Sequence, residues 1–488
     1  MAASRQRALV FLPYGNWGVN FATSLELAQR YLDDGWSVTL LRCDGVLDAC
    51  DVKHEGAVPL ACASCRAQQR SARRQLVGDV DEIVLSGADP RVDAAMATVP
   101  ESFADVAELR ALRHGGFELG EAALSSIASV WWLNTAAPDM HDPRVRRILR
   151  AQLRACLAVH LATLDAIAAC GAVEGVAFNG RPGIMRAFVR ACEAAGIDYW
   201  THERGSDRSR FLRFRNGIRH SRALITADIE RTCARVEPSE RAAVASAYYA
   251  DRRRGVSRAW RSYTGLQVEG LAPVVEGKRV VAVFTSTDTE FVGVGSDWDL
   301  GFYSGQAEAI ARIAADLAER GGAHAVYVRI HPNTSSPAAV AELMALAATS
   351  PGVEVLPPGS PVDSYALMDR ADRVVTFGST MGIEAAYAGR VSVVAGPASY
   401  RGLGSTYEPA SHEELIDLLV ATDIRPLPLD GAVDFGYWLR TFGEPFRYAA
   451  EPELGRATFR GRSVDVPWFR ALRTARAAAR RARRALPA

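Results

Sequence analysis

Residues 279–284 read Arg-Val-Val-Ala-Val-Phe, an apolar run of the length of one β-strand. Helical patterns and further strand-length apolar runs then alternate along the chain, at 306–319, 325–330, 337–348, 353–356, 364–368, 373–377, 382–387 and 391–395. Strands that alternate with helices of this length indicate a parallel sheet covered by helices on both faces. The sequence therefore predicts a doubly wound, Rossmann-like α/β domain over residues 278–425.

The same alternation opens the chain. Strand-length apolar runs and helical patterns alternate at 8–12, 21–32, 37–41, 173–178 and 184–195. We therefore predict a second Rossmann-like domain over residues 1–235. Ligands of such sheets bind beyond the carboxyl ends of the strands, so two of these domains predict a binding cleft between them.

Three further segments do not follow this alternation. Residues 43–75 carry four cysteines and are predicted as an insertion in the first domain. Residues 236–277 are charge-rich and weakly patterned, which predicts a linker. Residues 426–488 are predicted as C-terminal helices that end in a basic tail.

Composition excludes several classes of protein. The chain has 488 residues, of which 49% are hydrophobic and 23% charged, and this excludes wholesale disorder. Lys and Arg number 57 against 56 Asp and Glu, so we expect no nucleic-acid partner. No apolar run approaches the roughly 20 residues that span a bilayer. The apolar run at 8–12 meets Pro13 and is too short for a signal peptide, which predicts a cytoplasmic protein.

The C-terminal tail is strongly basic. Residues 471–488 contain arginines and no acidic residue, and Arg473, Arg476, Arg480 and Arg484 would share one face of a helix. One interpretation is a solvated basic tail. The other is a peripheral contact with anionic lipid at the inner face of a membrane.

A histidine closes one predicted strand of the 278–425 domain. In Arg329-Ile330-His331-Pro332-Asn333, the proline ends the strand and stiffens the loop, so the imidazole can face the cleft. We predict that His331, with Pro332 and Asn333 beside it, belongs to a nucleotide-binding site in which the imidazole donates to a phosphate oxygen. The alternative is a structural histidine at the end of a strand.

A glycine and two hydroxyl residues follow another of these strands. Gly378, Ser379 and Thr380 open a helix, where backbone N–H groups and hydroxyls can form an anion site. Glu384 lies about one turn further and could accept hydrogen bonds from ribose hydroxyls. The pattern alone is a weak signal, because any helix start favours Ser or Thr. The signal is stronger here because the Gly-Ser-Thr pattern comes one βαβ unit after the His-Pro loop.

A third polar loop follows the strand at 279–284. It ends in two carboxylates, Asp288 and Glu290, which we predict to bind the sugar part of a donor. The alternative is a solvated turn.

The 278–425 domain resembles the nucleotide-binding half of GT-B glycosyltransferases. More narrowly, it looks like the bacterial capsule and surface-polysaccharide biosynthesis proteins that include the Kdo transferases and, more distantly, bacterial sialyltransferases. The segments that carry the resemblance are Arg329–Pro332, Phe377–Ala386 and Gly389–Val394. The resemblance covers roughly residues 278–420 and departs from many relatives at Arg390, where they have proline.

The resemblance implies roles for particular residues. In that wider group the His-Pro motif and the serine-containing helix start contact the nucleotide phosphate, which implies these contacts for His331, Ser379 and Thr380. GT-B enzymes generally stabilise the departing nucleotide with helix dipoles and side chains, so no cofactor is implied for catalysis. The implied partners are a nucleotide-sugar donor and a glycan or lipid-linked acceptor.

In GT-B enzymes the other half binds the acceptor and usually supplies a base or nucleophile. Glu203 and His202, in a polar loop predicted after the strand near residue 200, are the candidate catalytic residues. Asn179, Arg181 and Arg204 are candidate acceptor-side residues, because guanidinium groups bind acidic sugars and phosphates. The alternative is a salt bridge in a surface loop.

The turn after the first strand is predicted to face the same cleft. It contains Gly15, Asn16 and Trp17. The glycine permits a close approach of a ligand to the backbone, and the indole ring could stack on a sugar. We therefore count these three residues on the acceptor side.

Cysteines cluster near the N-terminus. Cys43, Cys50, Cys62 and Cys65 follow the pattern C-x6-C-x11-C-x2-C, and four thiolates in one excursion could hold a structural zinc ion. An iron–sulfur cluster is a lesser alternative. Because the first spacing is not that of a standard zinc knuckle, free or partly buried thiols remain a third interpretation.

Three functions fit these observations. The favoured one is a glycosyltransferase that moves a sugar from a nucleotide-sugar donor to an acceptor in bacterial surface-polysaccharide synthesis. The second is another enzyme on a related two-domain fold, such as a nucleotide-sugar epimerase or a polyol-phosphate transferase. The third is a non-catalytic assembly factor of the polysaccharide machinery.

Overall fold

The computed structural model describes residues 5–53, 59–130, 133, 135, 137–256, 265, 267–273, 275–320 and 323–468. The helices are α1 Gly18–Asp33, α2 Pro59–Arg73, α3 Pro90–Thr98, α4 Val106–Ala111, α5 Leu119–Ala128, α6 Pro143–Cys170, α7 Gly183–Ala194, α8 Arg222–Cys233, α9 Pro238–Arg253, α10 Gln306–Glu319, α11 Pro337–Thr349, α12 Ser364–Arg370, α13 Met381–Tyr387, α14 His412–Val420 and α15 Asp430–Thr441.

The strands are β1 Arg7–Leu12, β2 Ser37–Arg42, β3 Val80–Val84, β4 Glu174–Phe178, β5 Asp198–Arg204, β6 Arg210–Arg215, β7 Arg279–Phe284, β8 His324–Arg329, β9 Val353–Leu356, β10 Arg373–Thr376, β11 Ser392–Val394, β12 Glu444–Pro445, β13 Ala449–Glu453, β14 Arg456–Phe459 and β15 Arg462–Ser463. Helices and strands alternate over most of the chain, which confirms the predicted α/β class.

The chain divides into two compact units. The first comprises the chain up to Ile127, Asp139–Arg219 and the chain from Gly443 onward, and the second comprises Ala128–Pro138 and His220–Phe442. This division differs from the predicted domains 1–235, 278–425 and 426–488. The reason is that α8 and α9 pack against α15 and so belong to the second unit, whereas the strands after residue 443 return to the first.

The first unit contains a seven-stranded sheet in the order β12-β6-β5-β4-β1-β2-β3. Strands β3, β2, β1, β4 and β5 are parallel, and β6 and β12 add antiparallel pairs at one edge. The chain runs outward on one side from β1 to β3 and on the other from β4 to β6. The carboxyl ends of β1 and β4 therefore form a topological switch point, where such sheets bind ligands.

Glu26 of α1 holds the segment that returns to the first unit. Its carboxylate is fully buried and accepts backbone N–H bonds from Arg447, Tyr448 and Ala449 at 2.7–2.8 Å. Arg30 donates to the same carboxylate at 2.8 Å. Because four donors satisfy its oxygens, the buried charge is stabilised, and it anchors β13 and β14 on α1.

The second unit contains a five-stranded, wholly parallel sheet in the order β11-β10-β7-β8-β9. Alternate residues of β8 are buried on opposite faces, because Val326 and Val328 pack with α10 and α14 whereas Ala325 and Tyr327 pack with α12. A strand that is buried on both faces has a near-continuous apolar sequence, which is the pattern seen at 279–284. This confirms a doubly wound sheet in this part of the chain.

Two segments differ from their predicted structures for the same reason. Residues 43–75, predicted as an insertion, include α2, which connects the neighbouring parallel strands β2 and β3. Its buried face is formed largely by Ser64, Gln68 and Gln69, so no apolar stripe marked it as a helix. Similarly, the predicted linker 236–277 includes the regular helix α9, of which only Ala245 and Tyr249 are buried.

The C-terminal part differs as well. In the described residues 426–468, helix α15 is followed by the short strands β12–β15, where the sequence predicted helices. These strands are two to five residues long, which is too short to show a period in the sequence. The predicted basic helix at 471–488 lies outside the described residues.

Helix α6 is long and apolar enough to span a membrane by length and composition, with a mean hydropathy of 1.5 over an 18-residue window. The sequence shows no unbroken apolar run of this length, because arginines occupy the first turns of the helix. Half of that window is buried inside the protein, and the helix packs against α3 and α7. Such burial is typical of a core helix.

Candidate functional site

A cavity of about 110 Å³ lies at the carboxyl end of the sheet in the second unit. From β7 the chain runs to β8 and β9 on one side and then crosses to β10 and β11 on the other. The cavity follows the carboxyl ends of β7, β8 and β10, at the switch point where ligands of such sheets bind. Its lining residues are Arg252, Gln267, Phe284, Thr285, Arg329, His331, Pro332, Ser364, Tyr365, Ser379, Thr380 and Met381.

His331 enters this cavity as a neutral hydrogen-bond donor. The backbone N–H of Asn333 donates to His331 Nδ1 at 3.1 Å, and the Thr287 hydroxyl lies 3.2 Å from the same nitrogen. Because an N–H can only donate, Nδ1 is unprotonated, and the proton of the neutral ring is on Nε2. Burial lowers the pKa of His331 to about 4, so the ring stays neutral near pH 7. The imidazole therefore offers an N–H that fits a phosphate oxygen.

Ser379 offers a second donor. Its hydroxyl oxygen accepts the backbone N–H of Met381 at 3.3 Å, which leaves the hydroxyl proton for a ligand. Gly378 precedes it at φ +154°, and a Cβ there would come within 2.6 Å of the Pro397 carbonyl oxygen and 3.0 Å of the Phe291 ring. The glycine is therefore required by packing. Helix α13 has only seven residues, so the candidate anion ligands are its neighbouring side chains rather than its N-terminus.

Glu384 has a different position from the one predicted. Its buried carboxylate accepts hydrogen bonds from Tyr365 at 2.5 Å, Thr380 at 2.9 Å and Arg252 at 3.2 Å. With three donors on its two oxygens, it orients the cavity wall and is not positioned as a free acceptor for ribose hydroxyls. The Thr380 hydroxyl proton is engaged by Glu384, so Thr380 contributes an oxygen rather than a donor to the cavity.

Eight of the twelve lining residues were not predicted as site residues, and four of them carry large polar side chains. Arg252 comes from α9 and Gln267 from the segment after it, both inside the predicted linker. Tyr365 lies in the first turn of α12, and Arg329 is buried at the end of β8. Arg329 is the last residue of β8 and lies two positions before His331. The end of the predicted strand, which pointed to the histidine, could therefore also have pointed to the arginine.

The other predicted donor-site residues lie outside the cavity lining. Asp288 accepts a hydrogen bond from Gln306, and burial raises the pKa of its carboxyl group. Glu290 is exposed at the end of the same short 3-10 turn. Asn333 is exposed, and its backbone N–H orients His331. Pro332 is the exception, because it lines the cavity together with His331, Ser379 and Thr380.

Glu203 of the first unit remains a candidate base. It lies in β5, which continues through Arg204, so the predicted polar loop is part of a strand. Its carboxylate accepts a 2.6 Å hydrogen bond from the Asn179 side chain and a 3.0 Å bond from the Arg204 N–H. Asn179 has a positive φ of 57°, and its amide group also accepts the Arg181 N–H at 3.2 Å. The loop after β4 is thus built around Glu203.

His202 is buried instead of facing an acceptor. Its ring is 1% exposed, and Nε2 lies 2.8 Å from the Ser24 hydroxyl of α1. Burial lowers its pKa to about 3. A predicted catalytic role conflicts with this position, because side chains alternate across a strand and Glu203, not His202, points to the Asn179 loop.

This burial makes a specific pH dependence expected. The unfolded chain protonates His202 below pH 6.5, whereas the folded protein does so only near pH 3, so stability is lost as the pH falls between these values. Relative to His202→Asn, the free energy of unfolding of the wild type should fall by about 1.4 kcal/mol per pH unit in this window. Urea unfolding at several pH values measures the difference. Parallel pH profiles of the two proteins would contradict the assignment.

Arg204 is used structurally. Its guanidinium donates to both oxygens of the buried Glu451 carboxylate, at 2.5 and 2.9 Å. This ion pair joins β5 to β13 inside the first unit. The prediction that Arg204 binds an acceptor is therefore corrected, since its fork is already occupied.

The predicted acceptor-side turn packs against α2. Gly15 lies so close to this helix that a Cβ would come within 2.6 Å of the Cys65 carbonyl oxygen. The Asn16 side chain donates to the Ala61 carbonyl at 2.9 Å and accepts from Ser64 at 2.9 Å. Both residues therefore hold the turn.

Trp17 lies beside a small apolar pocket. The pocket lies at the switch point of the first unit and is lined by Phe11, Leu12, Pro13, Tyr14, Trp17, Asn20, Phe21, Ser24, Phe178 and Met185. The indole ring packs edge-on against Phe178, with 5.2 Å between ring centroids. Of the three residues predicted in this turn, only Trp17 is placed beside a pocket.

The four N-terminal cysteines occupy one region without forming a ligand cluster. Among the described residues, no group of three or more His, Cys, Asp or Glu side chains is arranged to hold a metal ion. Cys65 accepts the Gly15 N–H at 3.1 Å and donates to the Pro13 carbonyl at 3.3 Å. Burial raises the pKa of Cys50 to about 12 and of Cys65 to about 11, so both are neutral thiols here. Cys43 and Cys62 are half-buried free thiols.

One family model matches the chain. Residues 289–416 match the family described as "Capsule polysaccharide biosynthesis protein", which is less than half of the chain. The matched range includes the Arg329–Pro332, Phe377–Ala386 and Gly389–Val394 segments. It confirms the predicted resemblance to capsule biosynthesis proteins in this part of the second unit. No curated protein matches the chain.

Several solved structures are similar to parts of the chain. KpsC from Thermosulfurimonas dismutans, a beta Kdo 2,4 transferase, has 15% identity and a TM-score of 0.35 over 54% of this chain and 79% of its own. The UDP-GlcNAc 2-epimerase of Neisseria meningitidis, bound to UDP-GlcNAc, has 8% identity and a TM-score of 0.28 over 88% of this chain and 98% of its own.

Proposed function

We propose that this protein is a glycosyltransferase that moves a sugar from a nucleotide-sugar donor to a glycan acceptor during the synthesis of a bacterial capsule or surface polysaccharide. The cavity at the switch point of the second unit is the proposed donor site. The observation that carries the proposal is the pair of donors there, the Nε2–H of His331 and the hydroxyl of Ser379. The capsule-family match over residues 289–416, which include His331 and Ser379, supports a capsule or surface polysaccharide as the product.

The charges of the cavity suit an anionic ligand. Arg252 and Arg329 are positive and Glu384 is negative, while His331 is neutral near pH 7. The cavity therefore carries a net positive charge before a ligand binds. A nucleotide phosphate balances that charge, and hydrogen bonds to ionised groups are stronger than neutral ones.

Transfer on this site requires stabilisation of the departing phosphate. As the bond from sugar to phosphate breaks, negative charge develops on the phosphate oxygens. Donors that are already oriented, here His331 and Ser379, stabilise this charge without reorganisation. In the proposal, Glu203 is the candidate base for an acceptor hydroxyl, because Asn179 orients its carboxylate and leaves lone pairs for a further donor.

The test is the release of nucleotide from CMP-, UDP-, GDP- and dTDP-sugars by the purified protein, with and without a polysaccharide acceptor. We expect one class of donor to be turned over. An epimerase would convert the sugar without releasing nucleotide, and an assembly factor would do neither. Either of these results would contradict the proposal.

Ser379→Ala is expected to slow this release. Loss of one hydrogen bond to an ionised phosphate should lower kcat/KM about 10- to 100-fold. Ser392→Ala is the matched control, because Ser392 is a buried serine of β11 whose hydroxyl has no partner among the described residues. Equal rates for the two variants would exclude a direct contact of Ser379 with the donor.

A further inference from the structure

Arg329 is a buried cation at the edge of the cavity. Its side chain is on the α12 face of β8, and the residue is 4% exposed. Both terminal nitrogens donate to one acceptor, the Ser360 carbonyl oxygen, at 3.2 Å. Its Nε is buried and has no hydrogen-bond partner among the described residues. Among the residues that the structure describes, the guanidinium thus uses one acceptor for its five N–H groups.

No carboxylate neutralises this charge in the described part of the chain. None forms an ion pair with Arg329 within 4.0 Å, and the acid that influences it most is Asp363. The Asp363 oxygens accept backbone N–H bonds from Tyr365 at 2.9 Å and Gly270 at 3.0 Å. Asp363 therefore caps α12 and does not pair with the guanidinium.

Arg373, in the same sheet, is a buried arginine with a structural role, and its hydrogen bonds can be compared with those of Arg329. It is 9% exposed, and its Nε, Nη1 and Nη2 donate to the carbonyl oxygens of Leu418, Asp372 and Ala421. Every nitrogen of that fork has an acceptor, and Arg373 does not line the cavity. Arg329 differs in both respects.

We propose that Arg329 is the fixed cation that binds the phosphate of the ligand in this cavity. Burial of a charge without a partner is unfavourable unless an opposite charge compensates it, and an anion in the cavity supplies that charge. A guanidinium can donate two N–H groups to two phosphate oxygens, and Arg329 keeps N–H groups that its bonds to Ser360 do not use. This inference rests on the proposed function only for the identity of the ligand, since any phosphate would serve.

The test measures thermal unfolding of wild type, Arg329→Met and Arg373→Met in chloride, phosphate and pyrophosphate at equal ionic strength. Pyrophosphate should raise the Tm of the wild type and of Arg373→Met, since a ligand that binds the folded state stabilises it. Arg329→Met should lose this rise, with its affinity about 10- to 100-fold weaker. Without pyrophosphate its Tm should stay level or increase, because an unpaired buried charge is removed.

A structural role for Arg329 gives the opposite pattern. Arg329→Met would then melt lower in chloride and keep the full rise in pyrophosphate, and this result would overturn the inference. Arg329→Lys, which keeps the charge but not the fork, should retain part of the rise. If pyrophosphate did not raise the Tm of the wild type, the inference would also be overturned.

The outcome separates this inference from the proposed function. If pyrophosphate stabilises the protein through Arg329 but no nucleotide sugar is turned over, the cation assignment stands and the glycosyltransferase proposal fails. If donor turnover is unchanged in Arg329→Met, the proposed function stands and the cation assignment fails.

Discussion

His331→Ala is expected to lower kcat/KM for the donor about 100- to 1000-fold, the range seen when one oriented donor to a developing oxyanion is removed. Asn333 and Thr287 contact Nδ1, which fixes the tautomer and the orientation of the ring and places its proton on Nε2. Most of the loss should appear in kcat. The measurement is the initial rate of nucleotide release at several donor concentrations.

The matched control is His324→Ala. His324 is the first residue of β8, at the amino end of the strand whose carboxyl end leads to His331. Neither of its ring nitrogens has a hydrogen-bond partner among the described residues. It should leave the kinetics unchanged. A similar loss in both variants would indicate that the strand, and not the His331 donor, limits the reaction.

Glu26→Ala is expected to destabilise the first unit by about 3–5 kcal/mol, the usual effect of breaking a buried, hydrogen-bonded ion pair. The substitution removes the acceptor of three backbone N–H groups and the buried partner of the Arg30 guanidinium. Urea unfolding followed by tryptophan fluorescence gives the free-energy difference. The segment after residue 443 should also become accessible to proteases.

Glu444→Gln is the control that separates the loss of a buried carboxylate in Glu26→Ala from the loss of an exposed ion pair. Glu444 pairs with Arg30 at 2.9 Å and with Arg213 at 2.6 Å, but its carboxylate is 38% exposed. Its loss should cost no more than about 1 kcal/mol, as for other exposed pairs. If Glu26→Ala were equally mild, the C-terminal segment would have to be held mainly by the apolar contacts of β14.

The parallel sheet of the second unit was predictable because its inner strands β10, β7 and β8 are buried on both faces and have near-continuous apolar sequences. The edge strand β9 carries the exposed Glu354, but β9 and α10 still occur at the predicted residues. The same argument located His331 and Ser379, since residues that follow parallel strands meet at one edge. Both line the cavity in the structure.

The rest of the site could not be predicted, because it depends on contacts distant in sequence. Arg252 reaches the cavity from α9, whose exposed and charged surface resembles that of a linker. Glu384 was assigned to a ligand because its three partners are invisible in the sequence. His202 and Glu203 were predicted as a pair, but neighbours in a strand point to opposite faces.

Titration calorimetry of the wild-type protein with CMP, CDP, UDP, GDP and dTDP tests the central claim most directly, because each is the nucleotide product of one donor class. The account predicts that one of them binds at one site per chain and that His331→Ala weakens the binding. Absence of binding by all five would contradict the assignment of the cavity as a donor site.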